Sequence, residues 1–450
     1  MLKKDFDDNI KIWRDLFKLD KETIDALYAD FVKTPRVSIN WKLGLTVKPW
    51  FVRLISWLER REANQKDNLI NFPDEDFVFV SCIDPVHRIK TLPLIAKDFK
   101  YSIYFLPTVT RFGALKKYNA YYQKRKETIF IDIFSKEDVK EYLAFLKTNK
   151  KLIKAVKCSN KSDTRQMKYQ IFRFALYGIN AKRVFRAADR SKLWVFEHDK
   201  FFFIPVINEF RKKGIPTIQL QHGTFFDPRT APFIPVYSDK VLCCSQREKD
   251  LYVEFGKNAD DIYVVGAPLQ GLRSDIIKPK GEKYDILVLL TVTSLEEWKE
   301  MQIKCLNYIN KNLNGMKVLL RFRPRSAEKD KQVLNPYIGM CDVSEGTSLA
   351  EDISISRRVI NFSMDAVFEA IRADKVFVTF VREEDMYGHY LDGVCYSIDR
   401  LEDGITDLFV STDSKQKRVN LEKFGETSIE KVRSNFNKAI IDIKVKLPNS

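Results

Sequence analysis

Histidine, glycine and proline are scarce in this chain, and no long apolar run appears. Four histidines serve 450 residues, and glycine and proline stand at 16 each. Glycine and proline this sparse exclude collagen-like and low-complexity classes. The opening, MLKKDFDDNIKIW, lacks an apolar signal core. No stretch approaches the ~18 uncharged apolar residues of a membrane span, so a cytoplasmic protein is expected. The seven cysteines are scattered and form no CxxC pair. That leaves no zinc or redox-dithiol signal and predicts buried, reduced thiols. Neither a Walker A sequence nor GxGxxG is present, which weighs against P-loop ATP hydrolysis and NAD-type redox chemistry. No HExxH or tight carboxylate cluster points to a metal.

What remains is a large basic chain, with 45% of its residues apolar. Its length favours two domains. Lys and Arg number 77 against 61 for Asp and Glu, a net charge of +16. Such a charge favours anionic partners: an anionic membrane face or a phosphorylated small molecule. The basic residues are dispersed, with clusters such as KKYNAYYQKRK at 116–126. No nucleic-acid recognition motif accompanies them, so no nucleic-acid partner is expected.

Residues 1–70 read as helical. In WFVRLISWLERR, Trp50, Phe51, Leu54, Ile55 and Leu58 share one face. That face either packs within its own domain or rests on the inner leaflet as a basic amphipathic helix. From residue 76 strands and helices alternate: DFVFVSC, a helix from Pro85, YSIYFLPTV, TIFIDIF, DVKEYLAFLKTNK, a long helix over about 162–190, LWVFEH, FFFIPVINEFRKK, PTIQLQ, DKVLCCS, QREKDLYVEFG and IYVVGAP. This alternation implies parallel strands joined by right-handed crossovers. PLQGLRSDIIKPKGEKYD breaks it as a linker. The pattern then restarts with ILVLLTV, a helix, KVLLRFRP, RVINFS, MDAVFEAIRAD and KVFVTFV. The expected fold is α/β, with two Rossmann-like domains facing a cleft. An N-terminal helical extension (1–70) precedes the first domain (71–270) and the second (283–424), and a last helix (425–450) folds back across the first. Ligands of open α/β sheets sit at the carboxyl ends of the strands.

Candidates follow strands. Gln221-His222-Gly223-Thr224 closes PTIQL. Imidazole serves as a base or, protonated, faces a departing phosphate. Gly223 permits a tight turn, and Thr224 offers a cap or a donor. In the first loop, Asp84 and His87 flank a helix start, where a proton acceptor is plausible and a plain cap beside a surface His is the alternative. Arg321, Arg323 and Arg325 in LLRFRPRS suit a pyrophosphate. The alternative is a solvated basic turn. Ser363 in NFSMDAVFEA ends a strand beside a helix start, an anion site. Glu369, two turns on, suits ribose hydroxyls or is a surface residue. His198 ends a strand and stays in reserve, and His389 reads as a loop residue.

The ordered set of QHGT, SDKVLCCSQREKDLYVEFG, IYVVGAP, RFRPR and NFSMDAVFEA resembles GT-B glycosyltransferases of bacterial surface polysaccharides. It is similar to the sialyl and Kdo transferases of capsule and lipopolysaccharide, and to teichoic-acid glycerophosphotransferases. CIDPVHRIKTLPL resembles the first loop of such enzymes without its glycines. The resemblance spans about 76–380. It implies an acceptor domain first and a nucleotide-donor domain second, with Ser363 on donor phosphate and Glu369 on ribose. Arg323-Pro324 stands where many relatives carry His-Pro. Asn361 stands eight before Glu369, where retaining relatives carry a second glutamate, so inversion is implied. The implied reaction has His87, Asp84 or His222 deprotonate an acceptor hydroxyl, which displaces the nucleotide from a UDP, CDP or CMP sugar. No separate cofactor is implied. The acceptor would be a glycan or lipid-linked glycan, with peripheral contact to an anionic membrane. An isomerase of the UDP-sugar 2-epimerase type and a non-catalytic polymer- or lipid-binding assembly protein are the rivals.

Overall fold

Phe77-Val78-Phe79-Val80-Ser81 is buried at every position, as a strand covered on both faces must be. The computed structural model describes residues 3–33, 75–81, 88–106, 128–131, 134–187, 192–197, 203–221, 236–266, 281–291, 296–323, 327–345, 347–362, 367–381, 394–411 and 424–446. The chain begins with α1 (Lys3–Phe17) and α2 (Lys21–Lys33) and enters the first sheet at β1 (Phe77–Ser81). Next come α3 (Arg88–Ile95), β2 (Tyr101–Phe105), β3 (Thr128–Ile131), α4 (Lys136–Thr148), α5 (Lys150–Ala155) and α6 (Lys161–Ala187). The domain continues through β4 (Leu193–Phe196), α7 (Phe203–Lys212), β5 (Thr217–Leu220), β6 (Lys240–Cys243), α8 (Gln246–Glu254) and β7 (Ile262–Val264). Its seven strands lie in the order β3-β2-β1-β4-β5-β6-β7, and every pair is parallel.

Local sequence explains where several helices start. Ser135 caps α4 by accepting from the Asp138 amide at 3.0 Å, and the Asp138 carboxylate accepts from the Ser135 amide at 2.9 Å. This reciprocal pair satisfies two otherwise orphaned donors. Ser245 caps α8 through the Glu248 amide at 3.1 Å.

The second sheet is built from β8 (Tyr284–Leu289), α9 (Glu296–Asn312), β9 (Val318–Arg321), α10 (Ala327–Leu334), β10 (Asp342–Val343), α11 (Leu349–Ser354), β11 (Ser356–Asn361), α12 (Val367–Arg372), β12 (Val376–Val381) and β13 (Cys395–Ser397), followed by α13 (Leu401–Val410). Its order is β10-β9-β8-β11-β12-β13, again parallel throughout. The fold is therefore α/β with two Rossmann-like sheets.

Both chain ends are drawn into the first domain. Phe6, Trp13 and Leu27 of α1 and α2 share one buried cluster with Met167, Phe174, Ile204 and Trp194. The Trp13 indole donates to the Met167 sulfur at 3.1 Å. These two helices are thus part of the first domain's core. The remainder of the expected helical extension, including Trp50–Arg61, lies outside the described residues. The final helix, α14 (Ile429–Lys446), packs on α3. Phe436 sits edge-on to Phe77 and Phe99. Arg433 Nε donates to the Leu94 carbonyl at 2.7 Å, and Lys444 pairs with Asp76.

Candidate functional site

In the first sheet the strand order changes direction between β1 and β4. A crevice forms above the carboxyl ends at such a switch. Ser81 ends β1 there, and Glu197 directly follows β4. The Ser81 hydroxyl donates to Glu197 Oε2. The Glu197 amide donates to the Val80 carbonyl at 3.0 Å, so the end of β4 is locked to β1. Both side chains are buried. In the sequence Glu197 is overshadowed by its neighbour His198. Its available signal was a carboxylate closing an apolar strand.

One strand further, Gln221 is fixed twice. Its amide donates to the Leu242 carbonyl at 2.9 Å, and the Tyr252 hydroxyl of α8 donates to its Oε1 at 3.2 Å. Gln221 and Tyr252 are each 1% exposed. At the end of β6, the buried Glu248 carboxylate accepts from the Cys244 amide at 3.1 Å. Burial pushes the Cys243 and Cys244 thiols well above the ordinary thiol range, which keeps them un-ionised and unreactive. The other sequence candidates of this domain, Asp84, His87, His222, Gly223 and Thr224, lie outside the described residues, as does His198.

The second sheet changes direction between β8 and β11. Thr291, just past β8, has its amide held at 2.8 Å by Gln302 Oε1 of α9. The Gln302 side-chain amide donates in turn to the Trp298 carbonyl at 2.8 Å. At the end of β9, the guanidinium of Arg321 pairs with Asp352 of α11, whose side chain is 1% exposed. Arg321 Nη1 also donates to Ser344 Oγ at 3.2 Å and to the Thr347 carbonyl at 3.0 Å. The Ser344 and Thr347 hydroxyls each reach one Asp352 oxygen at 2.6 Å. The sequence had Arg321, Arg323 and Arg325 as one phosphate-binding group. The structure separates the first two: Arg321 is held in this network, and Arg323 is exposed. Arg325 and Ser363 lie outside the described residues, as does His389.

Glu369 stands on α12 and is 4% exposed, so the alternative of a surface glutamate does not hold. α12 packs on α11, the helix that carries Asp352. None of the partners in the Arg321 network was legible beforehand, because β10 is only two residues long and α11 only six. Among the described residues, no group of three or more His, Cys, Asp or Glu is placed to hold a metal ion. No described helix is long and apolar enough to cross a membrane.

No protein-family model matches this sequence, and no curated protein matches it. Solved structures do. One is a Listeria monocytogenes protein assigned as a UDP-N-acetylglucosamine 2-epimerase, with a TM-score of 0.53 at 11% identity over 84% of this chain and 99% of its own. Another is the E. coli trehalose-6-phosphate structure bound with UDP-2-fluoro glucose. It has a TM-score of 0.50 at 11% identity over 83% of this chain and 100% of its own. At that identity the likeness establishes the fold: two Rossmann-like domains of the GT-B type.

Proposed function

We propose that the protein is a glycosyltransferase that moves a sugar from a nucleotide-activated donor to an acceptor hydroxyl. The observation that carries the reading is the two-domain fold, with a switch point in each sheet and likeness over most of its length to a structure that holds a UDP sugar. Fold alone does not dictate chemistry, so residues at the strand ends supply the rest. The second domain takes the donor. Arg323, which is exposed, and Ser363 take its phosphates in this reading, and Glu369 holds the ribose. The first domain takes the acceptor. His87, Asp84 or His222 removes the hydroxyl proton as the oxygen attacks the anomeric carbon, with inversion, and the nucleotide departs into a basic surrounding. UDP, CDP and CMP donors suit the site, and a surface glycan or lipid-linked glycan at the inner membrane face suits the positive charge.

The test is thermal unfolding with UDP, CDP, CMP, GDP and dTDP. A clear rise in midpoint is expected for one of the first three, since a ligand at 100 times its Kd stabilises by about 2.7 kcal/mol. No rise with any would overturn the reading and favour an assembly protein without a nucleotide site. A second reading, an isomerase of nucleotide sugars, is supported by the likeness to the Listeria protein. Consumption of a nucleotide sugar without any acceptor would select it.

A further inference from the structure

One surface of the first domain carries charge that the catalytic reading does not use. From Tyr142 to Ser162 the chain holds six lysines and neither an aspartate nor a glutamate. Lys147, Lys150, Lys151, Lys154, Lys157 and Lys161 are all exposed. None of them pairs with a carboxylate among the described residues. Carboxylates that flank the run are engaged elsewhere. Asp138 pairs with Arg183 at 3.0 Å and Glu141 with Lys182 at 3.6 Å. Asp5 of α1 is buried and accepts from the Ser159 amide at 2.7 Å. The rest of α1 carries both signs, so it adds little net charge.

Local structure sets the lysines side by side. The Asn149 amide donates to the Phe145 carbonyl at 2.9 Å and the Ile153 amide to the Asn149 carbonyl at 3.0 Å. α4 therefore passes into α5 with helical bonding kept at the joint. Val139, Tyr142 and Ile153 are buried in the first domain's core. Lys147, Lys150, Lys151 and Lys154, at helical spacings, take the other side. Like charges so placed repel one another, and a screening length of about 10 Å at 0.1 M salt leaves them acting together. A surface of negative charge relieves that repulsion.

What the run lacks narrows the partner. It contains no arginine, hence no planar fork for a single phosphate group. Of its two rings, Tyr142 is buried and Phe145 stacks on Phe17, which leaves no platform for nucleic-acid bases. α4 starts soon after β3 ends, and a crossover helix returns from the carboxyl ends towards the amino ends of the sheet. The lysines at and beyond its last turn thus lie away from the crevice, so they form a surface apart from the candidate site. Flexible ammonium groups in a cluster of this size suit a sheet of anionic headgroups. We propose that α4, α5 and the turn to Lys161 rest on an anionic phospholipid surface through these lysines. The inference rests on the membrane side of the proposed function and needs no nucleotide, so the two can fail separately.

The experiment is co-sedimentation of the full chain with vesicles of phosphatidylcholine, alone or with roughly a third phosphatidylglycerol. Binding to the anionic vesicles alone is expected at about 0.1 M salt, with release at about 0.5 M. The triple variant Lys150→Gln, Lys151→Gln, Lys154→Gln changes exposed positions only, so its unfolding midpoint should stay. It should bind the anionic vesicles roughly tenfold or more weakly. A control variant, Lys311→Gln, Lys317→Gln, Lys329→Gln, removes equal charge from exposed positions of the second domain. It should stay within roughly twofold of the wild type. Equal losses in the two variants would overturn the proposal and assign binding to net charge. Wild-type indifference to anionic vesicles, binding that survives the higher salt, or capture of a single-stranded oligonucleotide in place of vesicles would overturn it as well. Vesicle binding without any nucleotide response would sink the donor reading and leave this surface standing.

Discussion

Two residues away from the strand ends respond to their surroundings in ways that a single substitution exposes. Gly425 adopts a φ of +82°, and a Cβ there would fall within the carbonyl of Cys244 at the end of β6. Both the backbone conformation and the close approach require glycine. Gly425→Ala should cost about 3 kcal/mol or more in urea unfolding, and a loss below about 1 kcal/mol would contradict this contact. Glu75, just before the amino end of β1 in the interior of the first sheet, is half-buried. Burial pushes its carboxyl from an ordinary 4.5 up to about 7, against the pull of Lys192. The native state then holds a proton that the unfolded chain releases. Its contribution to stability is full below about 4.5 and is lost as the pH rises through about 7. Glu75→Gln should flatten the decline in unfolding midpoint between those values. An equally steep decline in the variant would assign it to other groups.

Among the elements, those with a pattern at every position were legible. β1 and β12 are buried at every position and almost wholly apolar, and each was expected within a residue or two; β8 was expected too, though it starts two residues earlier and ends three earlier than the run ILVLLTV. The long helix expected over about 162–190 spans Lys161–Ala187. β10, β13 and α11 were not seen, since two, three and six residues carry no periodicity. Their pairing with β9 and β12 comes from the sheet. α14 was readable as a helix, but its docking was decided by tertiary packing. Phe436 is fully buried, with ring centroids 6.0 Å from Phe77 and 6.2 Å from Phe99. Phe436→Ala should lower stability by about 3–5 kcal/mol. Urea unfolding followed by far-UV circular dichroism measures it, and a change under about 1 kcal/mol would mean that α14 is held by its polar contacts.

For the whole molecule, the sequence by itself determined the class of fold. Alternating apolar strands and amphipathic helices leave parallel sheets with crossovers as the arrangement that buries both faces of every strand. It also offered the strand ends as candidates for chemistry, because hydroxyls, histidines and arginines interrupt apolar runs there. The tertiary structure decided which of those residues meet. Arg321 and Asp352 are 31 residues apart, Ser81 and Glu197 are 116 apart, and α14 reaches Asp76 across 368. Pairings of that separation leave no trace in local pattern. They follow from strand order and register, and these are fixed only when the whole sheet closes on its core.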